Sequence, residues 1–401
     1  MQAVYGWPLI YIPAMATLVC LVFERMGSKQ RFLAKVPQNG LMVGLFISIL
    51  MSHLVHTYFA GFISAFNIFL VNFILFFVIL NALNSEKKFK IAIWFIVFLI
   101  VLMAIQGIYQ FNHGFGWAGQ EICKEKMESL NPVYRINWIG IFNDPNDLAL
   151  TFVIAFGILL PFALGKTKII LRIFSVFFLG LLTYGIFLTN SRGGFLALLA
   201  TVFFYFVART RKFILGGILG ALAVIAILGF GPSRMALLST TEESAYNRID
   251  LWYGGLQTLK SNPLFGVGFR MFEEEMPQTA HNSYVLAGAE LGFIGLFFWV
   301  GLLYVAFKQF ALVQKYKSGL KKYSLGLQSG LIGFSVAAFF LSRTYTILPF
   351  LFFALGGAIF YLAKQGNSEL SYNFTFKEAR TVFFLSIAVL MTIFTIIKIG
   401  L

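Results

Sequence analysis

Charged residues are scarce in this chain. Only 12% of its 401 residues are Asp, Glu, Lys or Arg, whereas soluble domains have roughly 25%. This low charge, together with many long apolar runs, excludes a soluble globular protein and also a disordered or fibrous one. Cysteine occurs only twice. One cysteine lies in an apolar run and the other in a polar segment, so no disulfide is predicted.

Apolar residues dominate instead: 59% of the chain is hydrophobic, and phenylalanine alone occurs 49 times. Because each transmembrane helix needs ~20 apolar residues, the length suits about a dozen spans. The sequence therefore predicts an all-α polytopic membrane protein. One predicted span is short and is expected to extend at either end. The twelve predicted spans are approximately 5–23, 39–58, 62–83, 91–111, 147–165, 169–189, 195–208, 213–230, 285–307, 325–342, 347–364 and 381–399.

The formal charge of +15 indicates membrane orientation rather than a nucleic-acid partner. With the N-terminus outside, about two thirds of the lysines and arginines fall in cytoplasmic connections, and every such connection is basic. The longest polar segment, 231–284, then faces outward, as does the segment 112–146. The expected organisation is about eight N-terminal helices over 1–230, an outer loop with an amphipathic helix over 231–284, and about four helices over 285–401.

A first polar motif, Asn190-Ser191-Arg192-Gly193-Gly194, separates two predicted spans on the outer side. Glycines let the backbone approach a ligand closely, and their N–H groups bind anions. The alternative is a simple glycine turn whose Arg192 side chain reaches the lipid headgroups.

A second motif lies inside the long outer segment, where Arg248 precedes Trp252 by one helical turn. The apolar spacing predicts an amphipathic helix that ends before Asn262-Pro263. The alternative interpretation is an interfacial helix with a tryptophan anchor and a solvated arginine.

A third motif, His281-Asn282-Ser283, stands where the long segment re-enters the membrane. A neutral imidazole at this point is a candidate general base, although it equally suits a helix cap. Glu290 is expected about two turns inside the span, where a carboxylate needs a polar partner or serves a neighbouring helix. Three glycines that follow or flank it predict a small face for close helix packing: Gly288, Gly292 and Gly295.

A fourth motif, the Asn-Asp-Pro-Asn-Asp turn at 143–147, is explained by a turn and a helix N-cap. The sequence contains no Walker A loop, no dinucleotide fingerprint, no zinc cluster and no carboxylate pair of the kind that holds a metal–diphosphate. The acidic run 273–275 is interpreted as a solvated loop face. No cofactor or metal is expected.

Together these motifs resemble the O-antigen ligase and O-antigen polymerase superfamily of bacterial membrane glycosyltransferases. The matching features are the SRGG turn, R-x-x-x-W, NP-x-x-G-x-G, HNS and ELG-x-x-G, in that order. The turn at 143–147 resembles the family's G-x-F-x-x-PN segment. The resemblance covers about 140–295.

The resemblance implies a GT-C-like helical scaffold in the bacterial inner membrane and a reaction on the periplasmic face without a metal. The donor would be a glycan on undecaprenyl diphosphate, and the acceptor a hydroxyl of lipid A–core, another glycan or a protein. By correspondence, Arg192 and Arg248 would stabilise the diphosphate, and His281 would take the acceptor's proton. Five further residues would bind substrate: Ser191, Gly193, Trp252, Asn282 and Glu290.

Two other functions stay open at this point. A polymerase of O-antigen or exopolysaccharide uses the same chemistry, and the short outer loop favours an acceptor smaller than lipid A–core. A flippase or transporter of lipid-linked oligosaccharides involves no catalysis. The clustering of polar residues at one face, without an internal repeat, argues against transport.

Overall fold

The computed structural model describes residues 11–26, 33–127, 130–228, 243–316, 319–367 and 369–400, and nearly all of its regular structure is helical. Strands β1 (Cys123–Met127) and β2 (Leu130–Arg135) form an antiparallel hairpin. Helices α1 to α14 are Tyr11–Met26, Gln38–Leu54, Phe59–Ala82, Glu86–His113, Pro145–Leu164, Ile169–Leu188, Arg192–Thr210, Phe213–Leu228, Glu243–Ser261, Phe272–Glu275, Ser283–Lys315, Lys321–Ala337, Ile347–Gly366 and Phe376–Gly400.

Each of the twelve predicted spans coincides with one of these helices. Within the described ranges, eight helices are long and apolar enough to cross a membrane, namely α3, α4, α5, α6, α7, α11, α13 and α14. The other four predicted spans, α1, α2, α8 and α12, form helices of 16 or 17 residues. The protein is therefore an all-α polytopic membrane protein, as the composition predicts.

The chain divides into two compact units, each assembled from separate stretches of sequence. The first unit contains the hairpin and helices α4 to α8 and α12. Its centre is α5, whose residues are buried almost without exception and which packs on α6, α7 and α12. A helix that is apolar on all sides is suited to this position. In contrast, α6 and α8 expose large apolar side chains such as Phe177 and Ile214, as lipid-facing helices do.

The second unit contains α1 to α3, α9 to α11, α13 and α14. Its centre is the 33-residue helix α11, which packs on α2, α9, α13 and α14. Polar side chains along α11 have partners in the same unit. The Gln309 side-chain amide donates to Gln38 Oε1 at 2.9 Å, and Lys308 forms an ion pair with Glu378.

Three local structures bear on the sequence-based expectations. The β1–β2 hairpin lies within 112–146, where no strand was expected. The short predicted span extends at both ends, because α7 begins at Arg192 and ends at Thr210. The helix predicted within 231–284 is present as α9 and ends directly before Asn262-Pro263. The first part of that segment, 231–242, lies outside the described residues.

Candidate functional site

The SRGG turn of the first unit is held by the start of helix α7. Ser191 is the N-cap, and its Oγ accepts from the backbone N–H of Gly194 at 3.1 Å. Arg192 is therefore the first residue of the helix, half-buried like Gly193. A Cβ on Gly194 would lie 2.5 Å from Ala149 Cβ, so glycine is required where α7 approaches α5. Arg192 thus stands at a helix N-terminus, where unpaired backbone N–H groups favour anions.

Arg135, at the end of β2, stabilises this turn through hydrogen bonds of its side chain. Its side chain is 9% exposed, and its Nε donates to Thr189 O at 2.8 Å. Its Nη2 donates to Asn146 Oδ1 at 2.9 Å, and the same oxygen accepts from Ser191 Oγ at 2.7 Å. Asn146 therefore joins the 143–147 turn to the SRGG turn, a link that the sequence did not reveal.

The 143–147 turn caps helix α5, as expected, but the helix begins earlier than predicted. Asp144 is the N-cap, its carboxylate accepts from Asn146 N at 2.8 Å, and Pro145 is the first helical residue. Proline is favoured at this position because it needs no hydrogen-bond partner for its nitrogen. Asn146 is thereby fixed in the first turn, close to Ser191.

In the second unit, Trp252 connects helix α9 to the segment that carries the predicted base. Trp252 is 5% exposed, and its indole Nε1 donates to Ala280 O at 3.0 Å. Arg248 lies one turn earlier on α9 and is half-buried. The tryptophan is therefore an internal anchor for the residue that directly precedes His281, rather than an interfacial anchor in lipid.

His281 occupies a tightly constrained position directly before α11. Its φ of 47° is unusual for a residue other than glycine. The next residue, Asn282, is fully buried and caps α11, since its Oδ1 accepts from Tyr284 N at 2.9 Å and Val285 N at 3.1 Å. The constrained backbone on both sides of His281 limits the directions in which its half-buried imidazole can point.

Ser283 ties this segment to the connection between α12 and α13. Its backbone N–H donates to Ala338 O at 2.7 Å. Its Oγ accepts from Arg343 N at 2.8 Å, and its carbonyl accepts from Thr344 Oγ1 at 2.9 Å. The segment that precedes α11 is therefore held both by α9 and by the stretch that carries Arg343.

Glu290 lies two turns inside α11 and is 3% exposed. Its Oε1 accepts from Phe272 N at 3.3 Å. In the part of the chain that is described, Glu290 Oε2 and the Tyr345 hydroxyl are both buried and complete no hydrogen bond. The expectation of a polar partner is met by the backbone N–H of Phe272, and Tyr345 lies beside the carboxylate as a further polar neighbour.

Helix α11 breaks at Gly292, two residues after Glu290. Its φ of 66° and ψ of −170° are non-helical, so Gly292 does not contribute to a continuous small face as predicted. A Cβ there would lie 2.3 Å from the backbone of Leu264. The Asn262–Gly268 loop bonds to both sides of the break: Phe293 N donates to Pro263 O at 2.8 Å, and Gly268 N donates to Glu290 O at 3.0 Å. The NP-x-x-G-x-G motif thus serves to satisfy the backbone at the break.

A cavity of about 360 Å³ opens beside this break, entirely within the second unit. Its lining includes four ionisable groups besides a tyrosine and several hydroxyls, and only Glu290 among them was predicted as a site residue. Arg270 was missed, although an arginine two residues after G-x-G in the segment 231–284 is a usable signal. The lining residues are Ile68, Phe269, Arg270, Glu273, Thr279, Leu286, Glu290, Ser342, Arg343, Tyr345 and Thr346.

The residues predicted to form the site fall into two sets. Ser191, Arg192 and Gly193 belong to the first unit, and the second unit contains the remaining five. These five are Arg248, Trp252, His281, Asn282 and Glu290. Among the described residues, no group of three His, Cys, Asp or Glu side chains is arranged to hold a metal ion.

A family model described as O-antigen ligase matches residues 174–300. The match covers about a third of the chain, including both arginines, the histidine and Glu290, but not the 143–147 turn. It supports the resemblance of this multi-pass membrane protein to the O-antigen ligase and O-antigen polymerase superfamily. A search of curated proteins found no match to the chain.

Proposed function

We propose that the protein is a glycosyltransferase that moves a glycan from undecaprenyl diphosphate to an acceptor hydroxyl. The reaction would take place on the periplasmic face of the bacterial inner membrane. The observation that carries the proposal is the family match over 174–300, because it includes Arg192, Arg248 and His281 together. The constrained backbone around His281 supports a role that depends on the orientation of the imidazole, as proton transfer does.

In the proposed reaction, the acceptor oxygen attacks the anomeric carbon of the donor sugar, and the bond from that carbon to the diphosphate breaks. His281 takes the proton of the acceptor hydroxyl, and undecaprenyl diphosphate leaves with its negative charge. Attack opposite the leaving group inverts the anomeric centre. The charge that develops on the leaving diphosphate requires compensation, and the guanidinium groups of Arg192 and Arg248 are proposed to supply it.

The remaining predicted residues receive supporting roles in this proposal. Ser191 and Gly193 shape the backbone around Arg192, and the N-terminus of α7 adds attraction for an anion. Trp252 and Asn282 hold the segment on either side of His281, and Glu290 contacts substrate. Since arginines provide the positive charge, the proposed reaction needs no divalent metal.

The decisive experiment uses purified protein, a lipid-diphosphate-linked glycan and a candidate acceptor. The proposal predicts stoichiometric release of undecaprenyl diphosphate together with a glycosylated acceptor. A flippase or transporter would move the intact donor across a vesicle membrane and release no undecaprenyl diphosphate. Absence of release with every acceptor, combined with donor translocation, would refute the proposed transferase.

The same assay separates a ligase from a polymerase. A ligase transfers the glycan once to a lipid A–core or protein acceptor. A polymerase uses a second lipid-linked glycan and gives a ladder of longer chains. The short outer segment favours a small acceptor. A ladder of longer chains would therefore identify a polymerase that uses the same proposed chemistry.

A further inference from the structure

The cavity in the second unit has the composition of a sugar-binding site. Its volume of about 360 Å³ lies at the lower end of the ~300–1,000 Å³ typical of small-molecule sites. Three of its lining residues carry hydroxyl-bearing aliphatic side chains, and Tyr345 and Phe269 provide aromatic surface. Such a mixture suits a compact ligand that has both hydroxyl groups and apolar C–H faces.

Two buried polar atoms in this cavity can accept a ligand or water as a partner. Glu290 Oε2 and the Tyr345 hydroxyl lie near each other but form no hydrogen bond of good geometry with the described residues, and a buried polar atom left unsatisfied is costly. Burial and the nearby Glu290 carboxylate raise the pKa of the Tyr345 hydroxyl well above its usual range, so this group stays a donor. The cavity therefore offers one strong acceptor and one donor at its buried end.

The cavity is lined by charged groups of both signs. Two arginines, Arg270 and Arg343, share the lining with two glutamates, Glu273 and Glu290, so the positive charge of the arginines is opposed within the same cavity. A diphosphate would meet two carboxyl groups here and lose part of its attraction to the arginines. A neutral sugar ring has no such conflict, because its hydroxyls donate to carboxylates and accept from guanidinium groups.

We propose that this cavity binds the sugar ring of the acceptor, with one ring hydroxyl donating to Glu290 Oε2. A second hydroxyl accepts from Tyr345 or Arg270. The inference rests on the proposed function, because the acceptor must lie within reach of the base. Thr279, two residues before His281, lines the cavity and donates to Ser342 Oγ at 2.9 Å. The cavity wall and the segment that carries His281 are therefore continuous.

The test is a direct binding measurement on the full-length protein, independent of transfer. Oligosaccharides released by mild acid from the envelope of the source cells are titrated by saturation-transfer NMR, with inorganic pyrophosphate as the contrasting probe. We expect an oligosaccharide signal from the unmodified protein. Glu290→Gln should weaken this binding by about tenfold to a hundredfold, since a charge-assisted hydrogen bond is lost.

Tyr345→Phe distinguishes a ligand-binding role from a structural one. The hydroxyl lies beside Glu290 without a hydrogen bond of good geometry, so its removal should lower the unfolding temperature little while weakening oligosaccharide binding about two- to tenfold. Exposed residues of the same types outside the cavity, Glu274→Gln and Tyr253→Phe, serve as matched controls and should change neither property.

Each outcome bears on the proposal. The absence of an oligosaccharide signal, or a signal that neither cavity substitution weakens, would overturn it. A pyrophosphate signal that Arg270→Gln removes would also overturn it, because the cavity would then belong to the donor. Release of undecaprenyl diphosphate is measured on the same samples. Transfer without sugar binding in the cavity would leave the proposed function intact, whereas sugar binding without transfer would count against the function alone.

Discussion

Truncation of the arginines and of His281 should impair the protein in different ways. Arg192→Ala and Arg248→Ala should weaken donor binding and also slow transfer, because a diphosphate is negatively charged before and after the bond breaks. Lysine at either position should restore activity only in part, since a point charge does not reproduce the guanidinium fork. Arg380→Ala, at an exposed position near the start of α14, is the control. Donor affinity and turnover are measured separately.

His281→Ala should leave donor affinity nearly unchanged, because a neutral imidazole adds little attraction for phosphate. Removal of a general base typically lowers the rate ~10²–10⁴-fold, and we expect a loss in that range at saturating donor. Loss of donor binding with normal turnover would instead identify His281 as a residue that positions the ligand. Glu290 would then be the next candidate base.

Arg135 is expected to support the SRGG turn without contacting substrate. Arg135→Met removes the hydrogen bonds that a charged donor makes to Thr189 O and Asn146 Oδ1, each worth about 1.5–3 kcal/mol. The variant should therefore unfold at a lower temperature and transfer more slowly, with donor affinity reduced through displacement of Arg192. Arg380→Met should show neither change. A normal unfolding temperature would show that the turn does not depend on Arg135.

At the scale of residues, the sequence points to side chains that stand in recognisable motifs and not to those defined by distant contacts. His281 and Glu290 were predicted as site residues because their motifs precede and begin a predicted span; their positions relative to that span are as expected, and their roles stay predictions. Arg135, Arg270 and Tyr345 gain their importance from hydrogen bonds or cavity walls formed by residues far away along the chain. The spacing of residues within a local motif does not predict such long-range contacts.

The break in helix α11 gives an element-scale prediction. Gly292→Ala places a Cβ against the backbone of Leu264 in a conformation that essentially only glycine adopts. We expect destabilisation of about 1–3 kcal/mol, visible as a lower unfolding temperature in detergent. Gly180→Ala in α6 is the matched control, because nothing lies within 4 Å of the added Cβ. An interior helical glycine without contacts should tolerate alanine or be stabilised by it. Equal unfolding temperatures would show that the break does not require glycine.

The long apolar helices were predictable because ~20 consecutive apolar residues have few alternatives to a membrane span. The β1–β2 hairpin and the break in α11 were not predictable, because neither leaves a distinctive pattern in the sequence. The β1–β2 hairpin lies in a polar segment without alternating apolar residues, so its sequence has no strand period. The α11 break lies in an apolar run whose composition is that of a continuous helix. Only the bonds from the Asn262–Gly268 loop make the non-helical backbone tolerable.

At the scale of the whole molecule, charge compensation by arginine predicts that transfer is independent of divalent metal. EDTA should leave the rate of undecaprenyl diphosphate release unchanged, and added Mg²⁺ or Mn²⁺ should not raise it. The acidic run at 273–275 is the place to examine if the result is otherwise. Complete loss of transfer in EDTA, reversed by either metal, would contradict the proposed role of the arginines and would direct attention to these glutamates.

The distribution of basic residues predicts that the segment with α9, α10 and His281 faces away from the cytoplasm. Gln278 is exposed in the same segment and is therefore a suitable site for labelling. In a background without Cys20 and Cys123, Gln278→Cys should react with a membrane-impermeant thiol reagent in intact spheroplasts. Exposed Lys87→Cys, in a predicted cytoplasmic connection, should react only after lysis. Because an acceptor and a lipid-linked donor must meet on one side, the reverse pattern would overturn the orientation and the proposed periplasmic reaction together.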